Sequence, residues 1–265
     1  MPTLSHEELE NLRRAKALLE NPGLAAKLAG YMGAPVEKGM KMLPKRLQGA
    51  VHSATEKALL KALDVAVKSL GSKPVAAGAR DASNRMHKMA VATSGAIGGA
   101  FGMAALGIEL PLSTTIILRS IADIAAAEGE DPRHLDTKLA CLTVFALGST
   151  RDKSDDAGES AYFASRSALA TAVTEASRYL AEKGLSKSGA PALLRLVALI
   201  ASRFGIVVSQ KTAAQMIPVI GAAGGAMINT LFIGHYQDMA RGHFIVRRLE
   251  KIHGAEPVRL AYEKL

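Results

Sequence analysis

Two long uncharged stretches, rich in glycine and alanine, constrain this chain more than any other feature. They cover residues 89–108 and 212–234. Glycine costs a helix up to about 1 kcal/mol relative to alanine, so such helices need close packing or a membrane to hold them. We predict two central helices whose small residues let their backbones approach closely. The glycines assigned to this packing are Gly95, Gly98, Gly99, Gly102, Gly221, Gly224 and Gly225.

The pattern of the whole chain predicts an all-α fold. Hydrophobic residues make up 49% of the sequence but aromatic residues only 4%, a balance that favours closely packed helices over a β-sandwich. No strand-like alternation recurs beside a hairpin turn. We expect a single domain over residues 1–265, with basic amphipathic helices at 1–75 and a core at 81–254.

Capping residues, prolines and glycines predict where the helices begin and end. Ser5-x-x-Glu8 forms a capping box, and the first helix should end near Glu20. Pro111 should open a helix after a break at 109–111. The segment 206–209 could be a short extended piece, although its length is too short to distinguish a strand from a helix. Other helices are expected over 22–33, 44–70, 111–129, 132–147, 161–183, up to Gly205, and 218–254.

The charge is uneven and points to an anionic partner. The net charge is +9, and residues 1–90 carry 15 Lys or Arg against 8 Asp or Glu. Anionic lipid fits this region better than nucleic acid, because base stacking needs aromatic rings and only Tyr31 is present. The expected headgroup contacts are Lys38, Lys41, Lys45 and Arg46. The same segment could instead be a solvated helix with its methionines in the core.

The sequence also predicts a compartment. The start of the chain is acidic and amphipathic, which is wrong for a secretory signal, and the lone Cys141 fits a reducing environment. The uncharged stretches could cross a bilayer by length, but their glycine and alanine make them weakly hydrophobic. We expect buried core helices first, with shallow insertion and spanning as alternatives. The protein should be cytoplasmic and peripheral to the inner face of the membrane.

Two blocks of sequence resemble the EcsC family, and together they cover most of the chain. The first block comprises residues 98–102, 109–115, 119–122 and 129–131. The second comprises residues 218–229, 235–238, 240–244 and 247–250. The resemblance implies a bacterial protein related to one encoded beside an ABC transporter and linked to secretion. It supplies no established catalytic residues, so the expected role is that of an accessory or scaffold protein. A membrane protein is a possible partner.

A hydrolytic or metal-dependent enzyme is the alternative function. His235 and Asp238 are three residues apart on one helical face, and with Glu109 they could form a metal site or an acid–base pair. Each residue also has a structural explanation, such as an ion pair between Arg119 and Asp123. The chain has no HExxH, CxxC, nucleophile-elbow or P-loop motif, so we expect no cofactor, metal or nucleic acid. The candidates are Glu109, Arg119, Asp123, Asn229, His235, Asp238, Arg241 and His243.

Overall fold

The computed structural model describes residues 4–20, 23–32, 45–70, 106–148, 160–184, 190–215 and 221–265. Within these ranges the chain is helical and contains no strand, which confirms the all-α fold. A short 3₁₀ turn at Val144–Ala146 follows the fifth helix. The α-helices of these ranges are α1 (His6–Glu20), α2 (Leu24–Met32), α3 (Lys45–Ser69), α4 (Leu106–Ala127), α5 (Leu135–Thr143), α6 (Ala161–Lys183), α7 (Pro191–Gln215), α8 (Gly221–His253) and α9 (Ala255–Lys264).

The first helix has the predicted cap. Glu8 Oε2 accepts a hydrogen bond from the Ser5 backbone N–H at 2.7 Å, and Ser5 Oγ accepts one from the Glu8 N–H at 3.2 Å. Glu8 Oε1 also lies 2.8 Å from Nε2 of His253, and this bond lowers the pKa of Glu8 to about 2. The cap therefore joins the start of α1 to the end of α8.

The 33-residue helix α8 is the centre of the packing. It contacts α1, α2, α4, α7 and α9, while α3 packs against α4, α5 and α7. Four buried aromatic side chains hold the 3₁₀ turn, α7 and α8 together, with ring centroids 5.0–6.1 Å apart. These are Phe145, Phe204, Phe232 and Tyr236. This cluster places a single core along the middle of α8.

The expected break before Pro111 is wrong. Helix α4 begins at Leu106 and continues through Pro111. Proline removes the hydrogen bond to the carbonyl four residues earlier, which here belongs to Gly107. Because Gly107 is exposed, water can take the place of that bond, and the helix starts one turn earlier than predicted.

The expected stop at Gly205 and the extended piece at 206–209 are also wrong, because α7 runs unbroken to Gln215. Val207 and Val208 are fully buried on the core side of this helix. Tertiary packing therefore outweighs the helix cost of one glycine. The last helix, α9, was not predicted, and it follows a left-handed residue at Gly254.

Part of the glycine-packing prediction lies outside the described residues, namely Gly95, Gly98, Gly99 and Gly102. Helix α8 does begin at Gly221, and the later glycines Gly224 and Gly225 are buried in its first turns. The close crossing of two glycine-rich helices therefore stays a prediction.

Candidate functional site

The side chain of Glu109 lies in a buried polar cluster where three helix ends meet. Its Oε1 accepts hydrogen bonds from Lys211 Nζ at 2.7 Å and from Asn229 Nδ2 at 3.2 Å. The Lys211 side chain is 1% exposed and the Glu109 side chain 7%. The start of α4, the end of α7 and the first turns of α8 are thus joined at one point.

Lys211 was not among the predicted residues. Its ammonium group lies 4.8 Å from the centre of the Phe232 ring and is neutralised by Glu109. A buried lysine needs a carboxylate partner, because desolvating an unpaired ammonium group is very costly. One signal in the sequence could have found it: Lys211 is the last charge before the uncharged stretch 212–234.

The side chain of His235 is packed against the backbone of Gly148. A Cβ atom at Gly148 would lie 2.5 Å from His235 Nε2, and Gly148 has a φ of +77°. Burial is the main cause that lowers the pKa of His235 to about 4, and the nearby Lys27 lowers it further. His235 is therefore a neutral imidazole at pH 7, held in the core by a glycine.

Asp238 shares the neighbour Lys27 with His235, and its negative charge acts to raise the pKa of that histidine. Its carboxylate is bonded to Lys27 Nζ of α2 at 3.0 Å and to Arg241 Nη1 at 3.2 Å. The Asp238 side chain is partly exposed, unlike those of Glu109 and His235. The polar group around Asp238 thus ties α2 to α8 near the surface.

These contacts bear on the proposed metal or acid–base site. His235 and Asp238 lie near the same Lys27 and interact electrostatically, whereas Glu109 bonds to Lys211 and Asn229. Among the residues that the structure describes, no three His, Cys, Asp or Glu side chains come together to hold a metal ion. Of the other candidates, Arg119 donates to Ser69 Oγ at 3.4 Å, and Asp123 is half-buried on α4. The enzymatic role of the group stays a prediction.

His243 belongs to a second buried polar network, between α6 and α8. Its Nδ1 lies 2.9 Å from the hydroxyl of Tyr162, which also accepts from Arg166 Nη1 at 3.2 Å. Arg166 in turn forms a bidentate pair with Glu250 at 2.7 and 2.9 Å. Burial lowers the pKa of His243 well below its usual range and raises that of Tyr162.

Arg247 extends this network toward α5. Its Nε donates to Glu130 at 3.1 Å and its Nη2 to Asp136 at 2.6 Å. Glu130 also accepts from Thr137 at 2.9 Å. Burial acts to raise the pKa of Glu130, but pairing with the cations Lys251 and Arg247 keeps it below its ordinary value. A cavity of about 160 Å³ lies beside Arg247 and is lined by side chains of α5, α6 and α8.

Buried or partly buried polar contacts connect the two sequence blocks. Glu109 of the first block binds Asn229 of the second, and Gln237 Nε2 donates to Ser120 Oγ at 2.8 Å. Glu130 and Arg247 form a third contact of this kind. The two blocks therefore converge on a shared interior.

Two helices are long and apolar enough to cross a membrane by length and composition. In the part of the chain that the structure describes, they cover Gly107–Ala127 of α4 and Pro191–Gln215 of α7. In the most apolar windows of these helices, 56% and 44% of residues are buried. Of the predicted headgroup contacts, Lys38 and Lys41 lie outside the described residues. Lys45 is the first residue of α3, and Arg46 is exposed.

Fold and site together define a class: an all-α protein built around one long central helix, with two weakly membrane-compatible helices and buried polar contacts between two sequence blocks. The chain matches the EcsC protein family over residues 6–249 and belongs to that family. No curated protein and no solved structure matches it.

Proposed function

We propose that this EcsC protein is a helical accessory protein that binds peripherally to the anionic, cytoplasmic face of the cell membrane. The observation that carries the proposal is the outer face of α7. This helix has a mean hydropathy of 1.9 over its most apolar window, yet fewer than half of the residues in that window are buried. A helix that is apolar on all sides normally lies inside a protein core or in lipid.

The exposed side of α7 is largely apolar. Leu194, Ala198 and Ile206 recur on one side at multiples of four residues, with Ser202 in the turn between Ala198 and Ile206. Leu199 and the ion-paired Arg195 are exposed beside them. The start of α4 adds another exposed apolar side chain near the end of this helix. Glu109 bonds to Lys211, so the exposed Ile108, with 78% of its surface accessible, lies near the end of α7.

The neighbouring helix α3 supplies positive charge. It carries five Lys or Arg residues against two acidic ones, and it packs directly on α7. Its exposed basic side chains recur at spacings that a helix brings to one side: Arg46, Lys57, Lys61 and Lys68. Each basic residue near an anionic membrane surface contributes about 1 kcal/mol of attraction.

Flotation with lipid vesicles tests this proposal. We expect the protein to float with phosphatidylglycerol vesicles at low salt, to remain unbound with phosphatidylcholine vesicles, and to be released as salt rises. Lys57→Glu combined with Lys61→Glu should abolish flotation. The matched control is Arg14→Glu combined with Lys264→Glu, which reverses two exposed charges on α1 and α9.

A second pair of variants separates lipid contact from charge alone. Leu199→Ser with Ile206→Ser should weaken binding while leaving its dependence on lipid charge unchanged. Alkaline carbonate should release the wild-type protein, since peripheral binding does not survive that treatment. A wild-type protein that stays in the soluble fraction with phosphatidylglycerol vesicles at low salt would refute the proposal.

A role beside an ABC transporter or in secretion rests on the family resemblance. A membrane-protein partner would be placed against the same surface, formed by α3, α4 and α7. Co-purification from membranes with and without Lys57→Glu/Lys61→Glu tests whether any such partner depends on it. For the alternative hydrolytic or metal-dependent function, His235 and Asp238 do lie close enough to interact, but the described bonds of Glu109 go to Lys211 and Asn229.

A further inference from the structure

The joined ends of α4, α7 and α8 expose large apolar side chains. Each of these side chains lies within five residues of a member of the buried group Glu109, Lys211 and Asn229. Exposed apolar side chains gathered in one part of a protein mark a site of interaction. We call this part the apolar end, and its exposed side chains are Ile108 and Leu112 of α4, Ile206 of α7 and Met227 of α8.

Charges are kept away from the apolar end along all three helices. The two charges within it, Glu109 and Lys211, neutralise each other at 2.7 Å and are almost inaccessible to water. Counted from the buried group, the next Asp, Glu, Lys or Arg is ten residues along α4, eight along α7 and nine along α8, at Arg119, Arg203 and Asp238. A helix rises 1.5 Å per residue, so each helix has a charge-free length of about 12–15 Å.

This length matches the thickness of one membrane leaflet. The hydrocarbon core of a bilayer is about 30 Å thick, so one leaflet accounts for about 15 Å. Helices α4 and α8 begin at the apolar end and α7 ends there, so the three charge-free lengths all start from the same place. With the apolar end among acyl chains, Arg119, Arg203 and Asp238 would lie at the level of the headgroups.

The hydroxyl groups near the apolar end are satisfied within the helices. Four of them donate to backbone carbonyls three or four residues earlier in their own helix, at 2.8–3.2 Å. Hydrocarbon imposes this condition, because it offers no partner for a polar group. Pro111 deprives the Gly107 carbonyl of its donor, and ordered water can satisfy such a carbonyl in a membrane helix. The four hydroxyls belong to Ser113, Thr115, Thr212 and Thr230.

We propose that the apolar end enters the acyl chains of one leaflet, and that α7 tilts so that its outer face approaches the headgroups. The inference rests on the proposed membrane binding and adds which part of the molecule penetrates. Pairing Lys211 with Glu109 removes the net charge that would oppose entry, since a charged side chain inside a bilayer is costly. The ligand of the apolar end is therefore the fatty acyl chain of a phospholipid.

Depth-dependent quenching of a fluorescent label tests this on the full chain. Ile108→Cys and Met227→Cys, labelled with the dye NBD, report on the apolar end, and Leu194→Cys reports on the other end of α7. Leu260→Cys on α9, beyond the far end of α8, is the matched control. Cys141 is fully buried and should not react with the dye. With phosphatidylglycerol vesicles whose acyl chains carry a quencher, we expect stronger quenching at Ile108 and Met227 than at Leu194, and none at Leu260.

Adding a positive charge gives a second test with an unusual sign. Ile108→Lys and Met227→Lys would each strengthen a purely electrostatic attachment to phosphatidylglycerol vesicles. If the apolar end enters the acyl chains, each change should instead weaken binding about tenfold. Leu260→Lys adds the same charge to an exposed leucine far from the apolar end and should not weaken binding. Because Ile108 and Met227 are exposed, neither change disturbs the core.

The outcomes separate this inference from the proposed function. Vesicle binding with stronger quenching at Leu194 than at Ile108 and Met227 would mean that α7 lies flat, which would overturn the inference and leave membrane binding intact. Tighter binding of Ile108→Lys and Met227→Lys would overturn it in the same way. A wild-type protein that does not float with phosphatidylglycerol vesicles at low salt would refute both.

Discussion

Replacing Lys211 by methionine tests how the ends of α4, α7 and α8 are held together. Two unit charges 2.7 Å apart attract by about 6 kcal/mol at an effective dielectric constant of 20. Much of this attraction offsets the cost of burying both charges. The useful quantity is therefore the cost of removing one partner, which leaves the other charge buried and uncompensated. We expect Lys211→Met to lower the free energy of unfolding by about 3–5 kcal/mol.

A double-mutant cycle isolates the pair. Glu109→Gln should also cost about 3–5 kcal/mol, because it leaves the Lys211 ammonium group without its carboxylate. The combination of Glu109→Gln and Lys211→Met should cost much less than the sum, with a coupling of about 3 kcal/mol. The measurement is urea unfolding followed by far-UV circular dichroism, with an unchanged slope in denaturant. Lys61→Met, at an exposed site on α3, should change stability by no more than about 0.5 kcal/mol.

Two results would refute this reasoning. If the single changes add to the double change within about 0.5 kcal/mol, Glu109 and Lys211 do not interact. If Lys211→Met costs less than about 1 kcal/mol, its side chain is not buried. Either result would separate the start of α4 from the end of α7, and Ile108 would then not lie near the helix proposed for lipid binding.

Two further predictions concern helix packing and pH. A Cβ at Gly242 would lie 2.6 Å from Leu19 Cγ, so Gly242→Ala should destabilise the protein by about 1–2 kcal/mol. A Cβ at Gly234 would meet nothing within 4 Å, so Gly234→Ala should stabilise the protein by up to about 1 kcal/mol. Thermal unfolding measures both changes. Burial depresses the pKa values of His235 and His243, so the unfolded chain takes up protons first as pH falls below about 6.5. The free energy of unfolding should therefore fall between pH 6.5 and 4.5 by up to about 1.4 kcal/mol per pH unit for each histidine. Urea unfolding at several pH values measures this, and the dependence of stability on pH should be shallower in His235→Leu than in the wild type. A stability that stays flat over this range would contradict the burial of both rings.

Local signals predicted several helix boundaries well. The capping box at Ser5 and Glu8 gave the start of α1, and the segment 161–183 is α6 residue for residue. Capping residues and stop glycines act over a single turn of helix, so the chain near them is sufficient to define the boundary. The same local rules failed at Gly205, where the burial of neighbouring valines keeps α7 helical.

The candidate site could be predicted only in part. The two blocks identified Glu109, Asn229 and His243 as polar residues of an apolar interior, and all three are buried. The partners of these residues could not be predicted, because Lys211 is 102 residues from Glu109 in the sequence and Tyr162 is 81 residues from His243. No periodicity or spacing carries information over such distances.

The sequence by itself determined the helical fold class, the family and the caps, since each depends on composition or on residues within a few turns. Only the tertiary structure decided which charge neutralises which, and that His243 lines a cavity with two arginines. The physical reason is that desolvation and pairing depend on distance in space. A lysine beside an apolar stretch has the same sequence whether it faces water or, like Lys211, a buried carboxylate.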